Sequence, residues 1–253
     1  MFESAKLKLE RADEHVRDLN KMFTAFLNTR PHRPVIKGER DEGNVWRISV
    51  EVIVDRTPPP EVALVLGDAI HNYRCVLDHL VWELVGIDRG TQDRYLKFPT
   101  GANRIDFESM ALGMKTPRQD TKDFIVSLAA YETGNGKILH ALNLLDNADK
   151  HTVTTPVTQM SFVEGITLIH LETGERKTID PVYADISGGN KLVFEAPAGF
   201  GIDTNYDIYP TPDIFFPEVQ PFPGEPVTST LASISIKVEE VVNAFQWFVA
   251  NRV

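Results

Sequence analysis

Residues 67–85, GDAIHNYRCVLDHLVWELV, bring together many of the side chains in this chain that could do chemistry. The length and periodicity of the segment are typical of an amphipathic helix. A solvated helix face usually carries Lys and Glu, but this one carries Asp68, His71, Asn72, Cys75, Asp78 and His79. Titratable groups gathered in this way are typical of functional sites. The segment therefore predicts a buried polar site on a helical scaffold.

A second segment, residues 137–151, offers partners for these groups. Helical spacing places Asn143, Asp146, Asn147 and Lys150 on one arc. Polar groups at a helix interface must be paired, since an unsatisfied one costs roughly 1–3 kcal/mol. We therefore expect the two helices to pack face to face. The candidate catalytic residues are Arg74, His79, His71 and Asp78, and the candidate substrate-binding residues are Asn72, Asn143, Asp146, Lys150 and His151.

Metal-independent phosphotransfer is one chemistry that these residues could support. Arg74 can hold a phosphate while His79 moves a proton, which is what ribonucleolytic transesterification needs. The two side chains lie about 140° apart on an ideal helical wheel. They would therefore serve one site best at a helix bend or at a dimer interface. The other candidates would orient this pair or complete the pocket.

The same pair carries a resemblance to a known superfamily. Arg74 and His79 form R-x-x-x-x-H, which is similar to the R-x(4–6)-H motif of the HEPN superfamily. Those small helical-bundle proteins, many of them ribonucleases of toxin–antitoxin and phage-defence systems, dimerise so that two motifs share one cleft. The resemblance implies a homodimer that acts on RNA or a nucleotide. Cys75 departs from the pattern, because Asn, Asp or His usually follows the arginine.

A second resemblance covers more of the chain. HNYRCVLDH at 71–79, DKH at 149–151 and the β-rich tail together resemble a bacterial protein family that carries H-N-x-R-x-x-L-D-H on one helix and a later D-K-H. This family brings no established activity with it. The resemblance therefore supports the helical scaffold and leaves the reaction open.

A metal-dependent hydrolase on the same residues is the main alternative. His71, Asp78 or His79, and Asp149 or His151, could supply imidazole and carboxylate ligands to a divalent transition metal. The sequence contains no H-E-x-x-H or C-x-x-C motif. The ligands would therefore have to come from both helices.

Further alternatives involve less chemistry. The loop at 209–226 places aromatic residues among prolines, a composition that suits a non-enzymatic partner-binding protein. The polar network could also be structural, because Asp78 can hold Arg74 in an ordinary i,i+4 ion pair. Cys75 could be a nucleophile beside His71 or His79, although a single Cys on such a face is more often packing.

Composition limits the class of protein. The 253 residues include 36 acids and 26 bases, giving a net charge of -10. This charge disfavours broad binding to duplex nucleic acid but allows a small local phosphate site. A single cysteine excludes an intrachain disulfide and fits a reducing cytoplasm. No apolar run approaches the ~20 residues of a membrane span, and the N-terminus has no secretory signal.

The elements that must position these residues predict an α+β fold. We expect a helical bundle core with an N-terminal β-hairpin and a small antiparallel β insertion before the C-terminal helix. Periodicity predicts helices at 3–29, 62–86, 121–132, 137–151 and 228–251. We interpret the chain as one domain, 1–253, in which 1–151 and 226–253 form the helical core and 152–225 form the β-rich insertion.

Alternation and turn residues predict the strands. The hairpin pairs 33–37 with 45–54, and turns are expected at ETGE (172–175) and SGGN (187–190). The candidate strands of the insertion are 154–164, 166–172, 176–180, 191–196 and 206–211.

Overall fold

A computed structural model of the chain describes residues 1–40, 46–91, 93, 95–151, 154, 156–179, 191–203, 209–217 and 221–252. Its helices are α1 (Glu3–Asn28), α2 (Pro60–Arg89), α3 (Arg104–Leu112), α4 (Gln119–Ser127), α5 (Lys137–His151) and α6 (Val227–Asn251). Its strands are β1 (His32–Arg40), β2 (Trp46–Val54), β3 (Val157–Glu164), β4 (Thr167–His170), β5 (Arg176–Thr178), β6 (Lys191–Glu195), β7 (Phe200–Ile202) and β8 (Tyr209–Phe215). The predicted α+β class is confirmed.

The chain divides into two compact units. One comprises Met1–Met22, Pro60–Thr155 and Phe216–Val253, and the other comprises Phe23–Pro59 and Pro156–Phe215. The first holds most of α1 and the other five described helices, and the second holds the end of α1, the N-terminal hairpin and the β-rich segment. The interpretation of the chain as a single domain stays a prediction.

In the helical unit, α2 packs against both α5 and α6. Proline at the first helical position suits the start of α2, because its missing N–H would be unbonded there in any case. At the other end Gly90 adopts φ +69 and ends the helix in the left-handed conformation that glycine tolerates. The helix therefore extends beyond the predicted 62–86 at both ends. Its apolar stripe is fully buried and includes Ala69, Ile70, Tyr73, Val76, Leu77, Leu80 and Leu84.

Two elements before α5 differ from the prediction. The helix α3 was missed, although Asn103 caps it by accepting the backbone N–H of Asp106 at 3.0 Å. Next, α4 ends at Ser127 and not at 132, because Ala129 adopts φ +47 and turns the chain. Gly136 then donates its backbone N–H to the carbonyl oxygen of Ala129 at 3.0 Å. This turn fixes the point at which α5 begins.

The described residues of the β-rich unit form three small antiparallel sheets. Strand β6 pairs with β2 of the hairpin, so the hairpin and the predicted insertion share one sheet. The other sheets are β3–β8 and β5–β4–β7, in which β7 was not predicted. The predicted ETGE turn joins β4 to β5, whereas SGGN lies outside the described residues. The buried cluster of this unit consists of Ile48, Leu168 and Ala196, with Ile179, Phe200 and Ile202 packed against it.

None of the helices that the structure describes is both long enough and apolar enough to cross a bilayer.

Candidate functional site

The candidate site lies where α5 packs on α2. A Cβ atom built on Gly67 would lie 2.4 Å from Oδ2 of Asp149, a distance that real Cβ contacts do not show. Glycine therefore lets the two helices approach closely at this point. Asp149 is held in place because its Oδ1 accepts the backbone N–H of Thr154 at 3.1 Å. The contact brings the polar arc of α5 onto the polar face of α2.

The carboxylate of Asp146 is the centre of the site. Its side chain is only 3% exposed, yet it bonds two side chains that are about half exposed. Nδ1 of His71 lies 2.9 Å from Oδ1 of Asp146, and Nζ of Lys150 donates to Oδ2 at 2.5 Å. An ionised carboxylate only accepts hydrogen bonds, so the proton of the His71 ring belongs on Nδ1. The other ring nitrogen, Nε2, is then the basic one.

Cys75 lies on the basic side of this ring. Its Sγ is 3.4 Å from Nε2 of His71, one helical turn away on α2. Asp146, His71 and Cys75 thus stand in the order of a carboxylate–imidazole–nucleophile relay. We refer to Asp146, His71, Lys150 and Cys75 as the Asp146 cluster.

The environment of Cys75 keeps it a neutral thiol. Burial is the main reason that its pKa is raised, and the carboxylates of Asp78 and Asp146 add to the effect. Lys8 and Arg74 act in the opposite direction. A raised pKa places the proton on sulfur at neutral pH, so the thiol is the donor toward Nε2.

A cleft of about 270 Å³ opens beside the Asp146 cluster. The side chain of His71 is 53% exposed, so the site is open to solvent on this side. The prediction of a buried site is therefore wrong for His71, whereas Asp146 is buried as expected. The cleft is lined by Ala63, Leu64, Gly67, Asp68, His71, Asp146, Asp149 and Lys150.

Arg74 belongs to a second network, in the interior of the unit. Its Nε donates to Oδ1 of Asn143 at 3.0 Å, Nη1 to Oδ1 of Asp78 at 2.6 Å, and Nη2 to the carbonyl oxygen of Phe98 at 3.0 Å. The same Asp78 oxygen accepts the backbone N–H of Phe98 at 2.7 Å. The guanidinium thus ties the chain at Phe98 to both helices. We refer to Arg74, Asp78, Asn143 and Phe98 as the Arg74 network.

The remaining predicted residues lie apart from these two groups. Asn72 faces α1, where its Oδ1 accepts Nζ of Lys8 at 3.0 Å and its Nδ2 donates to the carbonyl oxygen of Asp68 at 2.8 Å. His79 is half-buried, and its pKa is lowered, first by burial and then by the Lys8 ammonium. His151 ends α5 as an exposed residue.

The structure therefore regroups the candidates. It joins His71 to Asp146 and Lys150, and it joins Arg74 to Asp78 and Asn143. Sequence reasoning missed Gly67 and Lys8. A glycine facing a polar arc could have signalled the close helix contact, but no local pattern links Lys8 to a residue 64 positions away.

Comparisons with known proteins return no relative: no family model matches the chain, and neither curated proteins nor solved structures give a match. Among the residues that the structure describes, no group of three or more His, Cys, Asp or Glu side chains could hold a metal ion.

Proposed function

We propose that this protein is a metal-independent hydrolase or phosphotransferase in which His71 acts as general base and acid. One observation carries the proposal: a carboxylate that is 3% exposed orients a half-exposed imidazole through Nδ1, and this imidazole lines a cleft. A buried carboxylate behind a histidine fixes its tautomer and stabilises the imidazolium that forms during proton transfer.

The proposed substrate is a phosphodiester in RNA or in a nucleotide. Neutral His71 takes the proton of a ribose 2′-hydroxyl, whose oxygen forms a bond to phosphorus as the bond to the 5′-oxygen breaks. The imidazolium then gives the same proton to the departing 5′-oxygen. With water as the nucleophile the same proton transfers give hydrolysis.

Lys150 supplies the positive charge in this proposal. Its ammonium has three donors, and one of them is bonded to Asp146. The other two can bond the non-bridging phosphate oxygens at the cleft. Three of the eight lining residues are aspartates, and their negative charges disfavour a run of phosphates. A single phosphate suits the site better, because neighbouring ribose hydroxyls can donate to the carboxylates.

Arg74 is a positioning residue in this proposal, although the HEPN resemblance implies that it binds the phosphate. Its guanidinium makes three hydrogen bonds within the chain and its side chain is 6% exposed. The geometry favours Lys150 over Arg74 for the phosphate, and His71 over His79 for the proton.

We also propose that the protein is a homodimer in the cytoplasm. The HEPN resemblance supports a homodimer, and the presence of a single cysteine, Cys75, supports a reducing compartment such as the cytoplasm. Neither is needed for the proton transfer itself.

The test of the proposed function is a cleavage assay on single-stranded RNA of mixed sequence, before and after dialysis against a chelator. We expect product ending in a cyclic phosphate and a rate that changes less than about twofold after metal removal, because the reacting proton moves on an imidazole. Metal analysis of the same samples accompanies the assay. A rate that disappears with the metal and returns with it would support the metal-dependent alternative.

A thiol nucleophile is the second candidate, favoured by the 3.4 Å distance between Cys75 Sγ and His71 Nε2. Two features place it second. Burial raises the pKa of the thiol, and the residue lies inside a helix, where backbone N–H groups are already bonded and cannot form an oxyanion hole.

Cys75→Ala separates the two candidates. We expect the variant to keep kcat within about threefold of the unsubstituted protein, because the general-base reaction makes no bond to sulfur. Mass spectrometry of the unsubstituted protein quenched during turnover provides the control and should show no covalent adduct. Loss of activity together with an adduct on Cys75 would transfer the nucleophilic role to the thiol.

A further inference from the structure

A larger cavity lies at the other end of α5, near its first residue. It measures about 450 Å³ and shares no lining residue with the cleft beside Asp146. Most of the wall is apolar, as is usual for sites that take small organic molecules, and the volume falls in their range. The lining residues are Ala102, Glu132, Lys137, Ile138, His140, Ala141, Leu144, Pro221 and Phe222.

His140 is the polar group of this cavity. The residue is 8% exposed, and its Nδ1 is a buried atom with no hydrogen-bond partner among the described residues. Burial is the main reason that the pKa of His140 is lowered, so the ring is neutral at pH 7. Buried ring nitrogens are normally hydrogen-bonded, and an unbonded one is costly. A ligand that bonds the ring inside the cavity would remove this cost.

The charges at the cavity restrict the ligand. Glu132 and Lys137 are both exposed and have opposite signs, so together they favour neither an anion nor a cation. Phe222 adds an aromatic wall and is itself braced by Phe216, whose ring centroid lies 6.0 Å away. An aromatic body against Phe222, with one polar group toward His140, meets both requirements.

We propose that this cavity binds a neutral aromatic molecule with one N–H or O–H group, of the indole or phenol class. The apolar wall holds the ring system, and the N–H or O–H group donates to the His140 imidazole. Rotation of the imidazole about its last side-chain torsion is soft, so a ring nitrogen can turn to meet the donor. The proposal is independent of the reaction proposed for the Asp146 cluster.

The test is a calorimetric titration of the full chain with indole and with indene, which has nearly the same shape but no N–H. We expect indole to bind about tenfold more tightly, because only indole satisfies His140. In His140→Phe, which keeps a ring in place, we expect the two probes to bind equally. In Ala141→Trp, which fills the cavity, we expect neither to bind.

Three results would overturn the proposal. These are equal affinities of indole and indene in the unsubstituted protein, an indole preference that survives His140→Phe, and no saturable binding of indole up to its solubility limit. Circular dichroism of each variant reports whether it is folded. The comparison of the two probes on the unsubstituted chain needs no variant, so the proposal can fail even where a substitution prevents folding.

Discussion

Replacing His71 by Gln should lower kcat for RNA cleavage by about 10²–10⁴-fold, the usual contribution of a general acid or base. Gln cannot take up a proton at neutral pH, so the attacking hydroxyl loses its base and the leaving oxygen loses its acid. The fold should survive, because the side chain of His71 is half exposed and Asp146 keeps its bond to Lys150. We therefore expect the melting temperature to change little.

The matched controls are His151→Gln and His79→Gln. His151 lies at the end of the same α5 that carries Asp146 and is exposed, so its substitution should leave kcat within about twofold. His79 lies on α2 with His71, but the charges that act on its pKa are those of Lys8, Asp78 and Glu83. Single-turnover rates with saturating protein measure the chemical step for all three variants. A loss of kcat of this size in His79→Gln, with none in His71→Gln, would contradict the assignment. The proton transfer would then belong to His79, the histidine of the R-x-x-x-x-H motif.

Asp146→Asn adds a second measurement to this prediction. The amide can still accept from Lys150, but it can also turn its NH₂ group toward His71 and favour the tautomer with Nδ1 as acceptor. We expect a fall in kcat with a small change in KM, because the buried carboxylate acts mainly through His71. A fall in activity explained by unfolding alone, seen as loss of the helical circular dichroism signal, would instead indicate a structural role.

The helices were predictable because their signals are local. The helices at 3–28 and 137–151 are indicated by the periodicity of residues close together in the chain. The start of α2 is indicated by the proline at residue 60. The pairing of α2 with α5 also follows from sequence, since two matching polar arcs must satisfy each other. The short α3 was missed because its mixed face gives no periodic signal, and its cap at Asn103 is only a one-residue cue.

The partners within the site were not predictable. Which polar residues meet depends on the rotation and separation of the helices, and the close contact of Gly67 with Asp149 depends on both. The R-x-x-x-x-H motif groups Arg74 with His79, but Arg74 bonds a backbone oxygen at Phe98 that no side-chain pattern reveals. The pairing of β6 with β2 is likewise long-range, and no residue pattern in either strand identifies the other as its partner.

Replacing Arg74 by Met should lower the free energy of unfolding by about 3–5 kcal/mol, which corresponds to a melting temperature about 10 °C lower. Met fills much of the same volume but removes the guanidinium that donates to Asp78, Asn143 and the carbonyl oxygen of Phe98. The side chain of Arg74 is only 6% exposed and that of Asp78 is 29% exposed, and removing one partner of a largely buried ion pair is among the costliest single changes in a protein. Calorimetric melting and urea unfolding measure the effect.

The matched control is Arg104→Met on α3. Arg104 also bonds an acid four residues along its helix, with Nε 2.7 Å from Oε1 of Glu108, but its side chain is 71% exposed. Exposed pairs of this kind contribute little, so the control should change the free energy of unfolding by less than about 1 kcal/mol. Equal effects of the two substitutions would show that burial of the Arg74 network adds nothing to stability.

Arg74→Lys then distinguishes positioning from catalysis. Lysine keeps the positive charge but cannot bond Asp78, Asn143 and Phe98 at once, because its ammonium lacks the planar fork of arginine. A positioning role predicts lower stability, with kcat per folded molecule within a few-fold of the unsubstituted protein. A phosphate-binding role in the HEPN manner predicts the opposite, a large loss of kcat with the melting temperature retained. The second result would assign the active site to the motif of Arg74 and His79 instead of the cleft at His71. It would also support the homodimer, because HEPN proteins bring two such motifs into one cleft by dimerising.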